Sequence, residues 1–144
     1  MSSPRVFRTV LLDNEPVQAL LDVEHRKHRR TLAIIESIAA RSLTAGREVA
    51  LVVPTAIRVE AGWNRHLPTS AIINRLRVHD FSLDSQAADN AAQVRSDLSV
   101  SIADAHLAAA LNHLAGPHAV VTSDVNDLQR IASHLGFPVV IVAL

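Results

Sequence analysis

The stretch Ser99–Asp127, SVSIADAHLAAALNHLAGPHAVVTSDVND, decides how the rest of the chain is read. It predicts a helix opening near Ser101 and a break at Gly116-Pro117. A short buried strand, Ala119–Thr122, then leads into a new helix launched from Ser123-Asp124. Each helix starts with an acid. Asp104 lies three residues after Ser101, a spacing like a capping box with Asp replacing the usual Glu, and it interrupts an otherwise apolar run. Asp124 follows a strand end, where it also fits as an N-cap. Chain that leaves a strand and enters a helix is where open α/β sheets place their chemistry.

Outward from that stretch the same alternation recurs. Val6–Leu12 is a near-continuous apolar run ending at Asp13-Asn14-Glu15-Pro16, as expected of a strand covered on both faces. Pro16 suits the first turn of a helix. A second helix is expected over His25–Ser42, with Leu32, Ile35 and Ile38 at helical spacing. Val49–Val53 reads as a second buried strand, with Thr55 placed to cap a helix over Ile57–Arg65 that holds Glu60. Further helix is expected from Pro68-Thr69 to Arg77, a short edge strand over Val78–Leu83, and helix over Asp84–Asp97. Beyond the opening stretch, a helix to Leu135 stops at Gly136, and Val139–Val142 forms the last strand. About five strands alternating with helices predict an α/β fold with a mainly parallel central sheet flanked by helices. No linker or repeat divides residues 1–144, so a single domain is expected.

Composition narrows the classes. Hydrophobic residues make up 49 % and aromatics only 3 %, so the core must be built from Ala, Val, Leu and Ile. Cysteine is absent, which excludes a disulfide framework and thiolate zinc sites and fits a reducing cytoplasm. No signal-like or membrane-spanning run is seen. The 14 basic and 14 acidic residues cancel, which argues against a general nucleic-acid coat protein while allowing local patches of either sign.

Asp13, Glu60, Asp104 and Asp124 all fall at carboxyl ends of strands or in the following helical turns, and a parallel sheet brings those ends to one edge. Each alone also reads as a cap or a solvated acid. Together they must protonate, pair with arginine or hold a cation. An all-oxygen set favours Mg²⁺ or Mn²⁺. Asp127 reads as a further ligand or as a surface acid. Asn14, Thr122 and Ser123 are candidates to support a carboxylate or simply to cap turns.

Asp13 after a strand, Glu60 in VPTAIRVEAGW, Asp104 in SVSIADAHLAAAL and Asp124 in VVTSDVNDL resemble, in order and spacing, the four-acid pattern of PIN-domain ribonucleases. The resemblance is to the bacterial VapC-type toxins of type II toxin–antitoxin systems, of an actinobacterial kind. ADAHLAA and TSDVNDL are its most specific parts. LLDNEP departs from the common strand-Asp-small-small pattern and adds Glu15. The resemblance implies a PIN-like fold and Mg²⁺- or Mn²⁺-dependent endoribonuclease activity, with the four acids as metal-holding and catalytic residues. It also implies an RNA substrate (tRNA, rRNA or mRNA), a cognate antitoxin and a homodimer. The alternative is a PIN-like module that binds RNA or protein without cutting.

Phosphates need positive charge outside the acidic pocket. The run His25-Arg26-Lys27-His28-Arg29-Arg30 is the densest, and Arg26, Lys27, Arg29, Arg30 and, near Glu60, Arg58 are the RNA-binding candidates. Such a run is more often a solvated helix face. Trp63 reads as core or dimer packing ahead of a stacking platform for a base or an antitoxin side chain, His106 as packed or solvent-facing and not catalytic, and His25 with His28 is a poor metal pair among so many cations. Ala87–Ala92 is a packing face for either the core or a second copy. Receiver domains and haloacid-dehalogenase-like phosphatases share the α/β plan but need a late lysine. Lys27 is the only lysine in the chain, which removes both.

Overall fold

The computed structural model describes residues 6–144. Its five strands are β1 (Thr9–Leu12), β2 (Ala50–Pro54), β3 (His79–Phe81), β4 (His118–Thr122) and β5 (Val139–Ala143). They form one sheet in the order β3-β2-β1-β4-β5, and every neighbouring pair is parallel. Seven α-helices among the described residues flank it: α1 (Asn14–Leu21), α2 (His28–Thr44), α3 (Thr55–Ala61), α4 (Ala71–Arg75), α5 (Ser85–Leu98), α6 (Ile102–His113) and α7 (Val125–Leu135). The expected α/β architecture, a parallel central sheet of five strands flanked by helices, is the one found.

The order has a consequence for function. The chain moves outward from β1 through β2 to β3, then returns to lay β4 on the other side of β1. Strand order therefore reverses between β1 and β4, and the crevice at their carboxyl ends is where such sheets bind ligands. Both strands are buried along their whole length. Their continuous apolar sequence already required this.

Helix α6 seals the arrangement. Ala103 and residues 105 to 111 are all buried, so the helix is apolar nearly all round, as an interior helix must be. Its alanines let α5 and the sheet approach closely, while Leu107 and Leu111 fill the space between. Full burial of each leucine contributes about 2 kcal/mol. Ala87 and Ala91 are spent on this core contact. Trp63 is buried too, with the Arg58 and Arg65 guanidiniums 4.9 and 4.3 Å from its ring centroid.

Several boundaries differ from the sequence expectation, each for a local reason. β1 starts at Thr9, because Arg8 and Thr9 donate to the Pro117 carbonyl before the ladder begins. α2 starts at His28, after His25 and Lys27 are taken up in turns. Thr55 is the first residue of α3 and not its cap; its hydroxyl accepts from the Leu83 N–H instead (3.1 Å). α3 ends at Ala61, where Gly62 takes the left-handed conformation (φ 75°) that a side chain resists.

Candidate metal centre

Asp13 stands one residue past β1 and caps α1. Its Oδ1 accepts from the Asn14 N–H (2.9 Å) and its Oδ2 from the Thr122 hydroxyl (2.7 Å). The same hydroxyl accepts from the Asp124 N–H (2.9 Å), so its one proton is committed to Asp13. Thr122 is fully buried at the end of β4 and thereby locks the β1 and β4 junctions together. Asp124 caps α7 through the Asp127 N–H (3.3 Å). Asp104 lies in the first turn of α6, its N–H bonded to the Ser101 hydroxyl (3.1 Å) as the capping spacing predicts.

These acids act on one another. Burial raises the Asp13 carboxyl above its ordinary value against the relief of its two hydrogen bonds, and the charges of Asp124 and Asp127 raise it further. Asp104 is pushed up to about 6, first by burial and then by Asp13 and Asp127, with Asp124 adding to it. Neither Asp13, Asp104 nor Asp124 has an ion-pair partner among the described residues; Asp127 has Arg130 at 3.5 Å. The amino ends of α1, α6 and α7 offer partial positive charge here, but this does not offset the crowding.

Glu60 is not among the charges that raise Asp13 or Asp104. It is exposed on α3 and makes no hydrogen bond or ion pair among the described residues. Asp127 joins the group: its charge raises both Asp13 and Asp104. The signal was present as the second acid of TSDVND, one helical turn after Asp124. Asn14 adds a buried Oδ1 with no hydrogen-bond partner, next to Asp13.

The neighbouring charges are already satisfied. Glu15 accepts from the Ser123 hydroxyl and pairs with Lys27 (3.1 Å), and these contacts, Ser123 first, hold its carboxyl below the ordinary value. Lys27 also donates to the Leu144 carbonyl (3.3 Å). Arg58 is bound to Asp80 (2.8 Å) and to the Trp63 carbonyl, with Arg65 on the other Asp80 oxygen (2.9 Å). His28 is buried against the Ala19 carbonyl. Arg26, Arg29 and Arg30 remain exposed, beside the Lys27–Glu15 bridge.

The donor set, all carboxylate and amide oxygen with an orphaned Asn14 Oδ1, fits a hard divalent cation in kind. Among the described residues, however, no three His, Asp or Glu side chains stand close enough together to hold an ion between them. Ligation would require the side chains to draw in or to act through water.

No protein-family model and no curated protein matches the chain. Among solved structures it is similar to a chain of VapBC2 from Rickettsia felis, in a crystal structure bound to a DNA fragment from their promoter. The TM-score is 0.57 and the identity 8 %, over 94 % of this chain and 98 % of that one. At that identity the likeness is one of fold. No helix among the described residues is long and apolar enough to cross a membrane.

Proposed function

We propose that this protein is a divalent-metal-dependent endoribonuclease of the VapC kind, active in the cytoplasm and restrained by an antitoxin. The supporting observation is the group of Asp13, Asp104, Asp124 and Asp127 at the β1–β4 switch point. Two members are raised by burial and by the others' charge, without a cation to neutralise them. Glu15 and Asp80 each have a cation at hydrogen-bond distance, whereas Asp13, Asp104 and Asp124 have none among the described residues.

Asp13, Asp104 and Asp124 would hold Mg²⁺ or Mn²⁺, with Asp127 and Glu60 reaching it from the margins. A bound ion supplies an acidified water and charge neutralisation at the phosphodiester. The chain's own contribution is positional. Thr122 fixes the Asp13 carboxylate, Ser123 keeps Glu15 out of the site, and Asn14 offers an oxygen beside Asp13. Arg26, Arg29 and Arg30 give a backbone-tracking surface for RNA phosphates next to an acidic centre. The fold neighbour's assembly with its antitoxin supports an antitoxin as partner here. A homodimer belongs to the same proposal.

A second reading has one observation in its favour. The carboxylates are not assembled as a ligating trio, as expected of a module that binds RNA or protein without cutting it. Incubating total RNA with the purified protein in Mg²⁺, Mn²⁺ or EDTA, beside Asp104→Asn, separates the two. Metal-requiring fragments that vanish in the variant support the nuclease. Intact RNA under every condition, with folded protein free of antitoxin, supports the binding module.

A further inference from the structure

The carboxyl edge of the sheet has a second feature that the carboxylates do not use. Pro54 pairs with Phe81, and the parallel registers Leu11–Val52 and Leu12–Val121 set Asp13 level with Pro54 and Thr122. Phe81, Pro54, Asp13 and Thr122 thus lie in one row across the sheet, with Phe81 on the edge strand. Beside Phe81, between the start of α5 and the end of α6, is a cleft of about 190 Å³. Its lining includes Phe81, Asp84, Gln86, Asn90, Asn112 and His113.

Size, shape and polarity point to one class of ligand. The volume falls below the roughly 300–1,000 Å³ of clefts for drug-sized molecules and suits a single ring system. Phe81 and His113 supply aromatic faces, their centroids 5.7 Å apart, and buried Ala87 and Ala109 add a flat apolar wall. The side-chain amides of Gln86, Asn90 and Asn112 make no hydrogen bond among the described residues, so each keeps free donors and an acceptor. Asp84 spends one oxygen on the Ala87 N–H (2.9 Å) and keeps the other. No arginine or lysine lines the cleft, so a phosphate would meet a carboxylate with nothing to balance it.

We infer that this cleft is a nucleobase subsite, taking one unpaired base of the RNA whose backbone lies on the carboxylates. The inference rests on the ribonuclease reading for the identity of the strand. Two strand spacings separate Phe81 from Asp13, about 10 Å. The eight residues of helix from Asp104 to Asn112 rise about 12 Å. At roughly 3.4 Å per stacked nucleotide, this is about three nucleotides from the scissile phosphate. The free Asp84 oxygen accepts from an exocyclic amine, so cytosine, adenine and guanine are preferred to uracil.

The test is an amide-resolved NMR titration of the full chain in EDTA with cytidine monophosphate, uridine monophosphate and inorganic phosphate. An Asn90→Ala/Asn112→Ala variant is titrated beside it; both changes raise helix propensity, so the fold is retained. Cytidine monophosphate should shift the amides of Ala87, Ala109, Asn112 and His113, and uridine monophosphate should do so more weakly. The double variant should bind at least about 10-fold more weakly, roughly 1.4 kcal/mol. Its RNA cleavage should change in sequence preference. Shifts reproduced by inorganic phosphate, or unmoved by the double substitution, overturn the subsite. If wild type never cuts RNA yet binds the base here, the nuclease reading falls and the subsite stands. If cutting needs metal but ignores the double substitution, the subsite falls and the nuclease reading stands.

Discussion

Asp13 and Glu15 are two residues apart in sequence and lie at the same end of the same strand, yet their surroundings move them in opposite directions. Glu15 has Ser123 and Lys27 on its two oxygens and sits below its ordinary pKa. Asp13 has two neutral donors, burial and other acids, and sits above it. Asp80, held by Arg58 and Arg65, behaves as Glu15 does in geometry. At Glu15 and Asp80 the chain supplies the cation itself. At the β1–β4 crevice it leaves the charge unmet, which is the mark of a group waiting for something from outside.

The largest effect expected from breaking this contrast is on the unmet side. Asp13→Asn or Asp104→Asn should lower metal-dependent RNA cleavage by about 10²–10³-fold, the scale for losing one group that stabilises transition-state charge. Glu60→Gln should lower it less, since that acid is exposed and does not contribute to the shifts of Asp13 and Asp104. Cleavage rates on one labelled RNA rank the three.

Next in size is the hydroxyl that ties the two junctions. Thr122→Val removes the acceptor of the Asp124 N–H and the donor to Asp13, which is then free to swing. Cleavage should fall about 10–100-fold, and urea unfolding should show a loss of about 1–3 kcal/mol. A loss of stability with unaltered activity would make Thr122 purely structural.

Asp104 also sharpens the contrast through pH. With a carboxyl at about 6 in the fold against an ordinary 3.8, the folded chain binds the proton more tightly. That preference stabilises the fold below about pH 4 and is lost as pH rises to about 6. Metal-free wild type should therefore lose stability across this window. Asp104→Asn should lose less and be more stable at pH 7, by on the order of 1–3 kcal/mol. Chemical unfolding at pH 4, 6 and 7.5 reads the difference directly.

The smallest effect belongs to the satisfied side. Glu15→Gln removes a partly exposed pair and should cost under about 1 kcal/mol, with the cost disappearing as pH falls and wild-type Glu15 protonates. RNA cleavage should persist. A collapse of cleavage in Glu15→Gln would move Glu15 into the site.

The order and type of the elements were legible because β1 and β4 are apolar on both faces and α6 is apolar all round, so pattern and burial agree. Gly136, predicted to stop α7, does so in the left-handed conformation. What local sequence did not contain was the choice of partners. The run His25–Arg30 is uniform in composition, but folding buries His28, spends Lys27 on Glu15 and leaves Arg26, Arg29 and Arg30 free. Thr55 is a good cap by type, but Leu83, 28 residues away, takes its oxygen. Arg58 looked available beside Glu60 until Trp63 and Asp80 closed around it. Asp127, whose charge raises Asp13 and Asp104, gives the same lesson at the site. Spacing placed it and Glu60 near the edge, but only packing decides which acids feel one another.

The central claim is that the unmet carboxylates form a cation site, and Mn²⁺ titration calorimetry at pH 7.5 tests it most directly. Wild type and Glu15→Gln should bind Mn²⁺ with similar affinity, while Asp13→Asn and Asp104→Asn lose at least about 10-fold, roughly 1.4 kcal/mol. Mn²⁺ that fails to bind wild type, or binds all four proteins alike, would contradict it.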